Sequence, residues 1–223
     1  MIKVFIFLIV TECKLLYRNM HEWLHPILFF CMILVLFPLS FSADATFLEG
    51  IAPGCIWIAT LFSTLLSIQH FFVSDLQNGY LQECMLARVP LTAQVTAKFI
   101  AHWFMHIIPL LILSFMMAPL FHLSISACGI LAMSLLLGTP ILMLIGIFCA
   151  ALTIGLRQQG VMMGVLIFPL IVPVMIFAIN MVVQFNANLS ITGPLTFLAG
   201  LCVLTLTVMP YVISAALKLS VNQ

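Results

Sequence analysis

Six long apolar runs, separated by short polar stretches, set the pattern of this chain. They cover residues 27–43, 51–72, 99–121, 124–155, 161–183 and 194–216. Each run contains at least about 17 residues, the lower limit for a helix that crosses the hydrocarbon core of a bilayer. The pattern therefore predicts an all-α polytopic membrane protein with six transmembrane helices.

The length of the fourth run does not decide whether it crosses the membrane once or twice. Residues 124–155 are long for one helix and short for two, and Gly138-Thr139-Pro140 interrupts them. Two crossings would move Arg157 and Lys218 to the side of the membrane opposite the other basic residues. We therefore predict one long helix, in which Pro140 introduces a kink.

The chain before the first run mixes apolar and charged positions. Residues 1–26 are predicted to form an amphipathic segment in the cytoplasmic interface, where their basic residues meet the head groups of membrane lipids. The alternative is an ordinary leader into the first span. In the first interpretation the chain divides into this N-terminal segment and a transmembrane domain of residues 27–223.

The largest polar stretch, residues 74–98, lies between the second and third runs and is called the coupling segment below. Asn78-Gly79 is a turn signal, and the positions after it form an amphipathic helix with Leu81, Met85 and Leu86 on one side. Pro90 ends this helix and Thr92 is predicted to cap the next. The pattern favours a short helix that inserts into a groove on a soluble subunit; the alternative is a plain connection between two spans.

The basic residues all fall on one side of the predicted topology. They are Lys3, Lys14, Arg18, Arg88, Lys98, Arg157 and Lys218. The alternate loops, around residues 43–50, 120–126 and 184–193, contain no Lys or Arg. The positive-inside bias therefore predicts that both termini and the coupling segment are cytoplasmic.

Composition supports the membrane class and excludes others. The chain is 65% hydrophobic and 6% charged, whereas soluble domains contain roughly 25% charged residues. No basic patch is present, which argues against a nucleic-acid partner. The seven Cys form no C-x-x-C pair and are interpreted as small buried hydrophobes.

No source of energy is evident within the chain. No Lys follows a Gly, so a phosphate-binding G-x-x-x-x-G-K-[ST] loop is absent from the sequence. No carboxylate falls inside a predicted span, because Asp44 and Glu49 are assigned to the first outer loop, which argues against an ion-driven transporter. No catalytic set is recognisable. We expect a non-enzymatic subunit whose energy comes from a partner at the cytoplasmic face.

Two histidines on the third span are the remaining candidates for chemistry. His102 and His106 are four residues apart and share one helix face. They could ligate haem iron or a metal, or form hydrogen bonds that hold helices together. Because neither a Cys nor a carboxylate accompanies them, packing is favoured and no metal site is predicted.

Several short stretches occur in a fixed order along the chain, namely residues 36–40 (LFPLS), 51–57 (IAPGCIW), 75–79 (DLQNG), 97–98 (AK), 101–103 (AHW), 109–114 (PLLILS) and 135–140 (LLLGTP). Together they resemble the permease subunits of ABC-2 type exporters, and among these the CcmB family, the B subunits of cytochrome c maturation systems. The resemblance covers nearly the whole chain.

The resemblance implies a function that the residues alone do not show. It implies a permease fold in the bacterial inner membrane, a soluble ATPase subunit (A), membrane subunits C and D, and a periplasmic haem carrier. Haem is then the candidate substrate, either exported itself or released on the loaded carrier, and ATP acts only through the partner. The residues expected to dock the ATPase are Asp75, Gly79, Leu81, Met85, Leu86 and Pro90.

The chain departs from the family pattern just before the coupling segment, where Gln69 and His70 replace an acidic and a basic residue.

Two other functions are compatible with the same architecture: an ABC-2 exporter of a lipid or drug, and a membrane scaffold without transport. One set of six spans is too few for a complete exporter path, so a second permease half is expected.

Overall fold

The computed structural model describes residues 2–18, 20–41, 44–69, 71–86, 89–154 and 159–221. Within these ranges the chain forms helices α1 (Ile2–Arg18), α2 (Met20–Ser40), α3 (Ala45–Ile68), α4 (Val73–Gln77), α5 (Tyr80–Leu86), α6 (Leu91–Met117), α7 (Ile125–Thr153), α8 (Gln159–Asn186) and α9 (Thr192–Val221), with a 3-10 turn at Ala118–Phe121. In this part of the chain, six helices are long and apolar enough to cross a membrane, namely α2, α3, α6, α7, α8 and α9. The predicted all-α class with six spans is confirmed.

Two helix starts differ from the predicted boundaries. α2 begins at Met20, so the proposed division between residues 26 and 27 falls inside this helix. α3 begins at Ala45 because Asp44 caps it, accepting a hydrogen bond from the Thr46 backbone N–H at 3.1 Å. Glu49 therefore lies within α3, near its N-terminal end, and the assignment of this carboxylate to a loop was wrong.

α7 is a single helix, as predicted, and it is central to the bundle. It packs against α3, α6, α8 and α9. Gly138 allows a close contact with α3, since a Cβ atom there would overlap the ring of the fully buried Trp57. The Trp57 Nε1–H also donates to Ser134 Oγ at 3.2 Å, so the same pair of helices is joined by a polar contact.

α1 packs lengthwise against the first half of α6. Leu8 lines a small cavity with Val95, and Leu16 lines a larger one with His102. Leu217, in the last turns of α9, borders the first of these cavities. α1, the coupling segment, the start of α6 and the end of α9 therefore lie together, at what is called the α1 end of the bundle below.

Candidate functional site

A cleft at the α1 end of the bundle brings together most of the polar residues predicted to be functional. It has a volume of about 380 Å³ and lies between α1, α4, α5, α6 and the end of α3. Its polar lining consists of Glu12, Ser67, Ser74, Asp75, Asn78, Tyr80, Glu83, Lys98 and His102. It is called the α1–α6 cleft below.

Asp75, a predicted docking residue, is engaged within the chain. Its carboxylate forms an ion pair with the Lys98 ammonium, and the two side chains are only 19% and 14% exposed. The Lys98 Nζ also lies 5.2 Å from the ring centroid of Phe71 and 5.8 Å from that of Phe72, within cation–π range. The pair therefore ties α4 to α6 at a partly desolvated position.

Glu12 places a second carboxylate beside this ion pair. Burial raises the pKa of Glu12 above its ordinary value, the nearby Lys98 charge opposes that rise, and the Asp75 charge adds to it. Because Lys98 already neutralises Asp75, it cannot fully compensate a second carboxylate. The Glu12 side chain therefore occupies an environment that disfavours its charged form.

The predicted turn between α4 and α5 is present. Gly79 has a φ of +74°, in the left-handed region where a glycine has no Cβ penalty. Its backbone N–H donates to the Leu76 carbonyl at 3.2 Å, which closes the turn after α4. Gly79 is therefore required by the backbone conformation of the coupling segment.

Leu81 of α5 packs into the bundle itself. Leu81 is 3% exposed and lines a cavity with Leu91 and Leu217, so the expectation that its side chain faces a partner is corrected. A helix of only seven residues needs this internal contact to hold its place. Among the side chains that the structure describes from residue 78 to residue 83, those of Asn78, Tyr80, Gln82 and Glu83 are exposed.

Other predicted positions in this segment are only partly described. Met85 and Leu86 are the last two residues of α5, but their side chains lie outside the described part of the structure, as do His70 and Arg88 entirely. Pro90 is the cap of α6 and supplies no side-chain hydrogen bond. Thr92 lies inside α6, where its carbonyl accepts from Thr96 Oγ1 at 2.6 Å, so its prediction as the cap was wrong.

The two histidines of α6 face hydroxyl groups on α3. Thr64 Oγ1 donates to the Thr60 carbonyl at 2.7 Å and lies 3.2 Å from His106 Nε2. Because the only hydroxyl proton of Thr64 is used, His106 Nε2 must be the donor. His102 Nε2 lies 2.8 Å from Ser67 Oγ. This arrangement favours packing between helices, since the Nε2 atoms are occupied.

The sequence of α3 contains a pattern that could have predicted the hydroxyl partners of the two histidines. Thr60, Ser63, Thr64 and Ser67 recur at helical spacing along α3, which makes one polar stripe on an otherwise apolar helix. All four are buried, and Ser63 Oγ donates to the Pro26 carbonyl of α2 at 2.7 Å.

Among the residues whose positions are described, no cluster of three His, Cys, Asp or Glu could hold a metal ion.

Comparison with known proteins identifies similar chains over the full length. The family model described as CcmB protein matches residues 3–220. Three similar proteins are each named heme exporter protein B. The Pseudomonas aeruginosa protein is 37% identical, covering 100% of both chains. The Haemophilus influenzae protein is 38% identical over 98% of this chain and 99% of its own. The Escherichia coli protein is 40% identical over 95% of this chain and 96% of its own.

Proposed function

Since this chain belongs to the CcmB protein family, we propose that it is the membrane subunit of an ABC-type complex that delivers haem for cytochrome c maturation. Its substrate is haem, handled by export across the membrane or by release of a haem-loaded periplasmic carrier. ATP hydrolysis takes place in a separate soluble subunit. The family resemblance also implies that membrane subunits C and D are partners of this chain.

The proposed orientation places the α1 end of the bundle in the cytoplasm of a bacterial inner membrane. Lys14, Lys98 and Lys218 all belong to elements that meet at this end. The loops at the other end contain no Lys or Arg, in agreement with the positive-inside bias. Both termini and the coupling segment are then accessible to a soluble ATPase.

The observation that carries the proposal is the way in which the coupling segment is attached. Asp75 fixes α4 to α6 through Lys98, and buried Leu81 fixes α5 to the start of α6. The same segment leaves Tyr80 and Gln82 exposed. A displacement of these exposed residues by the ATPase would therefore be transmitted to α6, and through α6 to α1.

The experiment is a mild-detergent purification of the tagged chain from its native host, with the bound proteins identified by mass spectrometry. We expect a small ATPase together with haem-handling membrane proteins. The double variant Tyr80→Ala/Gln82→Ala should recover less ATPase, whereas Leu120→Ala/Ser126→Ala, exposed at the other end of the bundle, should recover as much as the unaltered chain.

Three other outcomes would contradict parts of the proposal. An ATPase recovered without haem-handling proteins would indicate an exporter of another substrate. Absence of any ATPase would favour a scaffold without transport. Equal loss of ATPase from both double variants would show that the coupling segment is not the docking surface.

A further inference from the structure

The outward side of α1 forms an open groove with α6, separate from the α1–α6 cleft. The groove has a volume of about 500 Å³ and follows α1 from Ile9 to Arg18, with Met105 of α6 as its other wall. It shares no lining residue with the cleft. α1 therefore presents two different sides, and the second of them is called the α1 groove below.

Two cations line the α1 groove. Lys14 and Arg18 are four residues apart on one side of α1, and both side chains are exposed. None of the described residues that line the groove is acidic, and the nearby Glu12 lines the cleft instead. Glu22, one turn beyond Arg18 with a side chain outside the described part, can neutralise only one of the two cations. The groove therefore keeps a positive charge and favours an anionic occupant.

The rest of the lining is mainly apolar. Ile9, Val10 and Cys13 of α1 face Met105 of α6 across the groove. Phe7, on the same side of α1 as Val10, is 68% exposed. A helix that carries exposed large apolar residues beside cations is typical of the interface of a membrane. The occupant of the groove is therefore expected to combine an anionic group with an apolar body.

The apolar wall of the groove continues along α6 into the membrane. Met105, Ile108 and Ile112 recur at spacings of three and four residues, so they share one side of this helix. Ile108 and Ile112 are 52% and 54% exposed, and α6 is one of the spans. A ligand whose head group is held by Lys14 and Arg18 can thus extend an apolar tail along α6 towards the centre of the bilayer.

The chemistry of the groove matches an anionic phospholipid. An arginine binds a phosphate through two parallel N–H···O bonds, and a lysine adds a point charge. Tyr17 lines the groove and is 63% exposed, and tyrosine is enriched where a membrane meets water. A zwitterionic phospholipid would bring a cationic group to a site whose described lining holds no carboxylate. A small inorganic anion would leave the apolar lining without contacts.

We propose that the α1 groove binds one anionic phospholipid of the phosphatidylglycerol type. Its phosphate is bound by Lys14 and Arg18, and one acyl chain follows Met105 and Ile108 of α6. The lipid thereby fastens the second half of α1 to α6 at this face of the membrane. This inference goes beyond the proposed function and does not rest on it, because it uses only the membrane class of the chain.

The test measures the affinity of the purified full-length chain for phosphatidylglycerol in a nonionic detergent, with phosphatidylcholine as the zwitterionic reference and native mass spectrometry to count bound lipid. We expect a preference for phosphatidylglycerol. Lys14→Gln/Arg18→Gln should weaken its binding about 30-fold, since each basic residue near a membrane surface contributes about a fivefold preference for anionic lipid. Lys3→Gln/Lys218→Gln removes two exposed charges outside the groove and should leave binding unchanged.

A second pair of variants fills space and keeps every charge. Val10→Trp places a large ring inside the groove and should weaken the binding of phosphatidylglycerol by about fivefold or more. Phe7→Trp, one turn earlier and outside the groove, should have no effect. All of these side chains are exposed, so the thermal midpoint of each variant in lipid-free detergent should match that of the unaltered chain.

Three results would overturn the inference. Equal loss of binding from the two charge variants, with no effect of Val10→Trp, would mean diffuse attraction without a site. Equal affinity of the unaltered chain for the two lipids would show that the groove does not select an anion. Loss of co-purifying haem from Lys14→Gln/Arg18→Gln, with unchanged binding of phosphatidylglycerol, would make the haem carboxylates the occupant. Recovery of the ATPase is measured separately, so the proposed function can stand when this inference fails.

Discussion

His102 and His106 show how single residues join the spans of this bundle. Their Nε2 atoms lie within hydrogen-bond distance of Ser67 and Thr64 on α3. A bilayer provides little hydrophobic force between helices, so such polar contacts contribute to association. The i, i+4 spacing predicted a shared helix face, but the spacing of one helix could not show which groups lie opposite on another.

The first prediction concerns the role of this pair. His102→Phe and His106→Phe keep an aromatic ring and remove the hydrogen bonds to α3. Each should lower the free energy of unfolding by about 0.6 kcal/mol, the average measured for such bonds in membranes, and by no more than about 1.7 kcal/mol. Unfolding in mixed micelles measures this cost, and Tyr211→Phe, which removes a polar group from an exposed aromatic ring on α9, is the matched control.

The same variants also test the haem-ligand alternative. If the pair only packs α3 against α6, a haem absorption band that co-purifies with the protein should keep its intensity. Loss of that band in the double variant, with unfolding unchanged, would instead identify the two histidines as ligands of haem iron.

The second prediction concerns the backbone at Gly79. Its φ of +74° disfavours any residue with a Cβ atom, so Gly79→Ala should destabilise the turn by about 1–2 kcal/mol. Gly79→Asn should cost less, because Asn adopts left-handed conformations more readily. Recovery of the ATPase with each variant measures the effect, and equal recovery with Ala and Asn would show that this conformation is not needed for docking.

At the scale of elements, the ion pair between Asp75 and Lys98 controls how the coupling segment is attached. Asp75→Asn or Lys98→Met leaves one charge in a partly desolvated site, and each should cost about 3 kcal/mol of stability. The exchanged variant Asp75→Lys/Lys98→Asp should recover part of that loss. Thermal midpoints of the three proteins measure this, and additive losses in the exchanged variant would contradict a direct pairing.

The contact between α3 and α7 gives a prediction about packing. Gly138→Ala places a methyl group where the ring of Trp57 lies, and the overpacking should cost about 1–3 kcal/mol. Gly129→Ala lies on the same helix with no atom within 4 Å of the added Cβ and should be neutral. Equal unfolding of the two variants would mean that α3 and α7 can separate without cost.

Local patterns predicted the helices of this chain better than the contacts between them. Apolar run lengths gave the six spans, and the charge argument correctly kept α7 as one helix. The inward face of α5 at Leu81 was missed, because the amphipathic pattern of a short helix does not show whether its apolar face meets its own bundle or a partner. The Asp75–Lys98 pair was missed because it joins residues 23 positions apart.

The two ends of the molecule differ in basic residues, which are present at the α1 end and absent from the loops at the other end. The last prediction follows from this difference. In a version of the chain in which the seven Cys are replaced by Ala, Asn78→Cys and Ser190→Cys place single thiols at exposed sites at opposite ends. A membrane-impermeant maleimide should label Ser190→Cys in intact spheroplasts and label Asn78→Cys only after permeabilisation. Basic residues resist translocation, which is why the end with Lys14, Lys98 and Lys218 should remain inside. Labelling of Asn78→Cys in intact spheroplasts would mean that the molecule has the opposite orientation in the membrane. The coupling segment would then lie beyond the reach of a cytoplasmic ATPase, which would refute the docking of that subunit.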